Sequence, residues 1–119
     1  MKISFKDAMD FGFGGIKGKS YLTRDEFSRA GAFPGNTFAQ TAKVRTGGRH
    51  GKIKNSANDH IYFVVDGKGS FLIGTQNFPA GKNDLIIVPK NPPFDYEGKM
   101  KLFLVTVPAL DKTKEVRLE

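Results

Sequence analysis

From residue 36 onward the chain is a run of short segments of β-type composition, each closed by Gly, Asn, Asp or Pro: TFAQTAKVR, a weaker GKIKN, HIYFVV, GSFLIG, a short piece near QNFPA, DLIIVP, PFDYEG and KLFLVTVP. Segments that recur about every 8 to 12 residues leave no room for the crossover helices that parallel strands require. The expectation is therefore an all-β, antiparallel barrel or sandwich. With 119 residues, 39% of them hydrophobic and 11 of them Phe, the chain can bury one core. One domain is expected, with residues 1–35 as an N-terminal arm with a short helix and residues 36–119 as the barrel.

Local signals refine this outline. Asp66-Gly67 reads as a tight turn, because Asp tolerates and Gly prefers the positive φ of a type I′ hairpin. Strands 60–65 and 70–74 should then pair. The run Leu85-Ile86-Ile87-Val88 reads as a strand buried on both faces, ended by Pro89, Pro92 and Pro93. In YLTRDEFSRAGAF, Thr23 and Glu26 have the spacing of a capping box, and Gly31 is a stop. Residues 1–19 show no clear period. Their GFGGIKG stretch is not a dinucleotide fingerprint, since Lys17 stands where the third Gly is needed and no βαβ unit surrounds it.

Three stretches together, HIYFVVDGKGSFLIG, FPAGKNDLIIVPKNPPFDYEG and KLFLVTVPA, resemble the conserved core of the cupin superfamily, a double-stranded β-helix or jelly-roll barrel. With their surroundings they cover residues 36–109. The resemblance implies a pocket inside the barrel, frequent homodimers and, in many members, one metal held by three histidines and a carboxylate. Position by position, this chain departs from that ligand set. The glutamate position falls on His60, the upstream histidines would lie within Ile53, Lys54, Asn55 and Ser56, and the last histidine falls on Phe94. A transition metal needs three or four N, O or S ligands converging at about 2.0 to 2.3 Å. No metal and no other cofactor is expected, although His50 and His60 with Asp59 or Asp95 could form a different site if strand 50–55 lay beside strand 60–65.

Side-chain alternation sketches the pocket. With His60 pointing inward, Tyr62 and Val64 share its face, while Ile61, Phe63 and Val65 pack the other side. Phe94 and Tyr96 face in, and on the preceding strand Phe38, Gln40, Ala42 and Val44 form the candidate inward set. Phe38, Gln40, His60, Tyr62, Phe94 and Tyr96 make a mostly aromatic lining with polar tips, suited to a small ring. His50, between Arg49 and Gly51, is expected in an exposed turn.

Charge adds a further expectation. The net charge of +7 is concentrated in residues 1–60, which carry 11 Lys/Arg against 5 Asp/Glu. Lys43, Arg45, Arg49, Lys52 and Lys54 run without an intervening acid. The bland explanation is a solvated basic face. The sharper one is an anionic small ligand, with Arg45 and Lys54 among its contacts.

Three function classes follow. The first is a metal-independent cupin that binds a small molecule, anionic or carbohydrate-like. The second is a metal-independent isomerase, epimerase or cyclase with His60 as base and Tyr62 or Tyr96 as acid. The third is an interaction or nucleic-acid-binding module, disfavoured because basic and aromatic residues do not interleave as stacking platforms do. Absence of cysteine fits reducing surroundings, and no apolar run reaches the roughly 18 residues of a membrane span. A cytoplasmic protein without membrane attachment is the expectation.

Overall fold

The structure is a computed structural model that describes residues 2–23, 39–108, 110 and 112–118. The helix expected over 23–31, beyond Thr23 itself, lies outside the described residues, as does Phe38. Among the described residues nine strands follow one another: β1 (Met9–Phe13), β2 (Ile16–Tyr21), β3 (Gln40–Thr46), β4 (Ile53–Asn55), β5 (Asp59–Ile73), β6 (Gln76–Gly81), β7 (Leu85–Val88), β8 (Phe94–Val107) and β9 (Glu115–Arg117). Short 3₁₀ turns occupy Phe5–Asp7 and Lys112–Lys114. All pairings are antiparallel and belong to one curled sheet, in the order β1-β2-β3-β8-β4-β9, with β5 lying against β8, β6 and β7. The all-β barrel expectation holds.

Residues 1–19, which carry no readable period, nonetheless contribute the β1-β2 hairpin, turned at Gly14-Gly15 and paired through β2 to β3. Its Ile16 belongs to the core and Phe11 packs against it.

Long strands β5 and β8 run side by side over almost their whole length, and here two expectations fail. Asp66-Gly67 does not turn the chain, so segments 60–65 and 70–74 are consecutive parts of one strand rather than partners. A type I′ turn needs positive φ at both central residues, and only Gly67 has it, at 84°. Instead the register slips between Val64 and Asp66, a bulge that absorbs one residue and lets the strand continue. The true hairpin comes later, where Gly74-Thr75 joins Ile73 to Gln76. Likewise the PFDYEG and KLFLVTVP segments belong to one strand, Phe94–Val107, with Gly98 inside it. There the backbones of β5 and β8 meet so closely that a Cβ on Gly98 would lie 2.6 Å from the Gly69 Cα.

The inner face is the core: Ala42 and Val44 of β3, Tyr62, Val64 and Phe71 of β5, and Phe94, Tyr96, Met100 and Leu102 of β8 are all buried. The outer face is open. Leu85 and Ile87 are 55% and 62% exposed, so β7 is buried on one side only, and Phe63 and Val65 are exposed rather than packed. Among the described residues no second layer covers this side of β5, β7 and β8, so the alternation that fills the inside leaves these apolar side chains outside.

Candidate functional site

The curled sheet encloses a cavity of about 190 Å³. His60 and Tyr62 from β5, Tyr96 from β8 and Gln40 from β3 line it, so four of the residues singled out in the sequence meet there. Phe94 is buried but not part of the lining, and its ring centroid lies 5.8 and 5.3 Å from those of His50 and His60. Arg45 and Lys54 do not reach the cavity. Each is exposed between two inward-facing neighbours, and Arg45 stands opposite Lys17 and Lys101 on the outer face.

His50, expected in an exposed turn, is also placed differently. It is only 3% exposed and lines the cavity. Its ring stacks on Tyr96 with centroids 4.4 Å apart. The backbone N–H of His50 donates to the Tyr96 carbonyl at 2.7 Å, and Nδ1 lies 2.7 Å from the Gly51 carbonyl oxygen. A carbonyl can only accept, so Nδ1 carries the proton and Nε2 is the basic nitrogen. Burial lowers the pKa of His50, opposed by the Gly51 carbonyl and by the Asp95 charge, with Arg117 adding to the lowering.

Asp95 explains the burial of His50. Strand alternation turns Asp95 away from the cavity, yet it is only 4% exposed, because the 49–51 loop closes over it. Its Oδ2 accepts from Arg49 Nε at 2.5 Å, and its Oδ1 accepts from the N–H groups of Gly51 and Tyr96, each at 2.8 Å. The contact spans 44 residues from Gly51 to Asp95, and no local pattern announces it.

Tyr62 and Tyr96 form the second part of the site, with ring centroids 5.1 Å apart. A hydrogen bond joins the Tyr62 and Tyr96 hydroxyls. Burial raises the pKa of both phenols, so both stay protonated near neutrality, while the hydrogen bond with Tyr62 acts against that rise at Tyr96. His60 is 5% exposed and its Nδ1 is buried without a hydrogen bond. Burial, chiefly, lowers its pKa to about 4, against the influence of the Asn58 carbonyl, so the ring is neutral at ordinary pH. On the inner face His60 stands opposite Thr106, and Thr106 opposite Gln40, whose Nε2 donates to Ser20 Oγ at 2.9 Å. This makes a polar row across four strands on the wall of the cavity. Glu115 of β9 also reaches the lining.

The four-ligand metal set of the superfamily does not fit this site. Ile53 is core, Lys54 is exposed, and Asn55 Oδ1 accepts from the N–H groups of Ala57 and Asn58, both at 2.8 Å, in the turn that leads into β5. Phe94 offers no ligand atom. Strand β4 pairs with β8 and β9 rather than with β5, so the alternative site on neighbouring strands is not formed either. Among the described residues no three His, Asp or Glu side chains converge as metal ligands.

No family model and no curated protein matches the sequence. Solved structures do match. Pac13 from Streptomyces, described as a nucleoside dehydratase, is 26% identical, with a TM-score of 0.85 over 100% of this chain and 91% of that one. Pac13 has also been solved with uridine as variants carrying Tyr→Phe and His→Gln substitutions. A protein from Planctomyces limnophilus superposes with a TM-score of 0.78 at 14% identity, over 97% of this chain and 94% of that one. The oxalate decarboxylase of Bacillus subtilis gives 0.77 at 14%, over 98% of this chain and 31% of that one.

Proposed function

This chain belongs to the cupin superfamily by its fold, and from that premise we propose that its cavity binds a nucleoside and eliminates water from it, with His50 as base and Tyr96 as acid. The observation that carries the reading is the stack of His50 on Tyr96 inside the cavity, with the His50 tautomer fixed so that Nε2 is basic. Pac13 supports it, because the residue types replaced in its uridine structures, one histidine and two tyrosines, are the types that meet here as His50, Tyr62 and Tyr96.

Elimination of water needs a C–H proton acidic enough for a histidine to remove, beside the carbon that loses hydroxide. The substrate class is then a nucleoside whose sugar carries a carbonyl. His50 Nε2 takes the proton α to that carbonyl, the electron pair moves into an enolate, and the β C–O bond breaks as Tyr96 gives its proton to the leaving oxygen. Water departs, and the Tyr96 phenolate is held by the Tyr62 hydroxyl until the proton on His50 returns to it. Of the catalytic set read from the sequence, Tyr62 and Tyr96 keep their place. His60 passes to ligand binding, with Gln40, because it stands in the polar row with Thr106 and Gln40 and its buried Nδ1 has no hydrogen bond.

The test is calorimetric titration with uridine, alongside mass spectrometry for loss of one water from sugar-oxidised nucleosides. Uridine binding with dehydration supports the enzyme, binding without turnover on any such substrate leaves the small-molecule-binding cupin, and neither result leaves the nucleoside reading without support.

We propose in addition that the molecule is a homodimer that covers the outer apolar face. Leu85, Ile87, Ile61, Phe63, Phe103 and Val105 stand next to one another across β7, β5 and β8, a contiguous patch of the kind that marks protein interfaces. Among the described residues no helix is long and apolar enough to cross a membrane.

A further inference from the structure

A carboxylate buried on the face of β8 turned away from the cavity has no part in lining the site, yet Asp95 spends both its oxygens on the loop that carries His50. Oδ2 takes Arg49 on one side of the histidine and Oδ1 takes the N–H of Gly51 on the other. The third bond, from the Tyr96 N–H, ties the same carboxylate to the residue on which His50 stacks. Gly51 is at φ 101°, a conformation that favours glycine. In that conformation its N–H reaches Asp95 while its carbonyl accepts from His50 Nδ1.

We infer that Asp95 is a positioning residue, which fixes the Nδ1–H tautomer and the aim of His50 through the peptide groups of Gly51 without touching the ligand. The inference rests on the proposed role of His50 for its catalytic meaning, but the relay itself is a property of the ligand-free protein. Without an anionic acceptor, three donors around Asp95 lose a charge-assisted bond, and the Gly51 carbonyl is no longer held where it selects Nδ1. The Nε2–H tautomer, in which the basic nitrogen faces the wrong way, then becomes accessible. Other charged or titratable groups flank His50 or share its cavity: Arg49 beside it, Tyr96 on β8, Glu115 and Arg117 on β9, and Tyr62 and His60 on β5. None of these bonds to the Gly51 N–H. The tautomer therefore separates the role of Asp95 from a general change of field.

The experiment is nitrogen-detected NMR of the two histidine rings in the full-length, ligand-free protein, as wild type, Asp95→Asn and Gly51→Ala. Wild type should show His50 neutral with Nδ1 protonated over the neutral range. Asp95→Asn should show a mixture of tautomers and a lower His50 pKa, since an opposing negative charge has gone, while His60 keeps its signals. Gly51→Ala leaves the carboxylate in place but strains the peptide, and should shift the tautomer without removing the Asp95 charge. It keeps the test decisive if Asp95→Asn does not fold. A wild-type His50 protonated on Nε2, or a folded variant of either kind with an unchanged tautomer, overturns the inference. Failure to bind or dehydrate nucleosides would overturn the proposed function and leave these spectra as they are.

Discussion

His50 and Tyr96 are joined twice: their rings stack at 4.4 Å, and the His50 N–H donates to the Tyr96 carbonyl at 2.7 Å. A base and an acid held face to face in this way suit removal of a proton and expulsion of a hydroxyl on neighbouring carbons. His50→Gln should lower dehydration of a sugar-oxidised nucleoside by about 10²- to 10⁴-fold, the usual contribution of a positioned base, with uridine affinity little changed. Because burial keeps the His50 pKa below 6.5, the acid limb of the pH–rate profile should lie below the ordinary histidine value. Turnover that survives His50→Gln would remove the base from this mechanism.

The two tyrosines should not be equivalent. The hydrogen bond between them raises the pKa of Tyr62 and lowers that of Tyr96, so the Tyr96 proton is the one that leaves more readily. Tyr96→Phe should abolish the acid step, whereas Tyr62→Phe removes one hydrogen bond to a phenolate, about 1.5 to 3 kcal/mol or roughly a 10- to 150-fold loss in rate. Single-turnover rates of the two variants decide the order, and the reverse order would exchange their roles.

His60 gives the fold a dependence on acid. Its imidazole stays neutral in the folded chain down to a pKa of about 4, against the ordinary histidine value of 6.5 once the chain unfolds. Between these values the unfolded chain binds the extra proton, so stability is full above pH 6.5 and falls as the pH falls toward 4, then levels off. The loss attributable to this residue reaches about 3 kcal/mol, and His50, lowered in the same direction, adds to it. Urea unfolding at pH 7.5, 5.5 and 4 should show this slope, and His60→Gln should flatten it. An equal slope in the variant would mean that other groups are responsible.

Much of the site can be read in the chain because strand alternation is a strict rule: once His60 is placed inward, Tyr62 and Val64 follow, and Ala42, Val44 and Tyr96 obey the same period. The histidine of the loop escapes such a rule. His50 sits between Arg49 and Gly51 with no period to orient it, and its burial depends on a carboxylate 45 positions later in the chain. The β5 bulge escapes for a related reason. Asp-Gly is a turn dipeptide in isolation, but here Gly67 meets β8 so closely that a Cβ would lie 2.1 Å from the Lys99 carbonyl oxygen, and that long-range pairing decides the conformation.

The same closeness makes Gly98 a sensitive position. It lies at φ 125°, with the Lys68 carbonyl oxygen 2.7 Å from where a Cβ would stand and the Gly69 Cα 2.6 Å away. Both obstacles are backbone, so neither can move aside without disturbing the β5–β8 pairing. Gly98→Ala should cost about 2 to 4 kcal/mol, combining backbone strain with a steric shift, as measured by denaturant midpoint at pH 7.5. By contrast Gly47→Ala, where a Cβ meets nothing within 4 Å, should change the midpoint little. Similar effects at the two positions would show that the crossing is looser than the structure has it.

Ile87 is the most informative place to test the homodimer. At 62% exposure its side chain lends little to the core, so Ile87→Lys should leave the thermal stability of a monomer within about 0.5 kcal/mol. Opposite it lies Ile61, and beyond Ile61 lies Val105, so in a dimer closed over this face the new ammonium would lose its water among apolar side chains. A single buried, unpaired charge costs several kcal/mol, enough to weaken association by two or more orders of magnitude. Sedimentation velocity over a range of concentrations should show a dimer for wild type and a monomer for Ile87→Lys. A dimer in both would place the interface elsewhere, and a monomeric wild type would mean that the apolar face of β5, β7 and β8 is left to a different partner or to solvent.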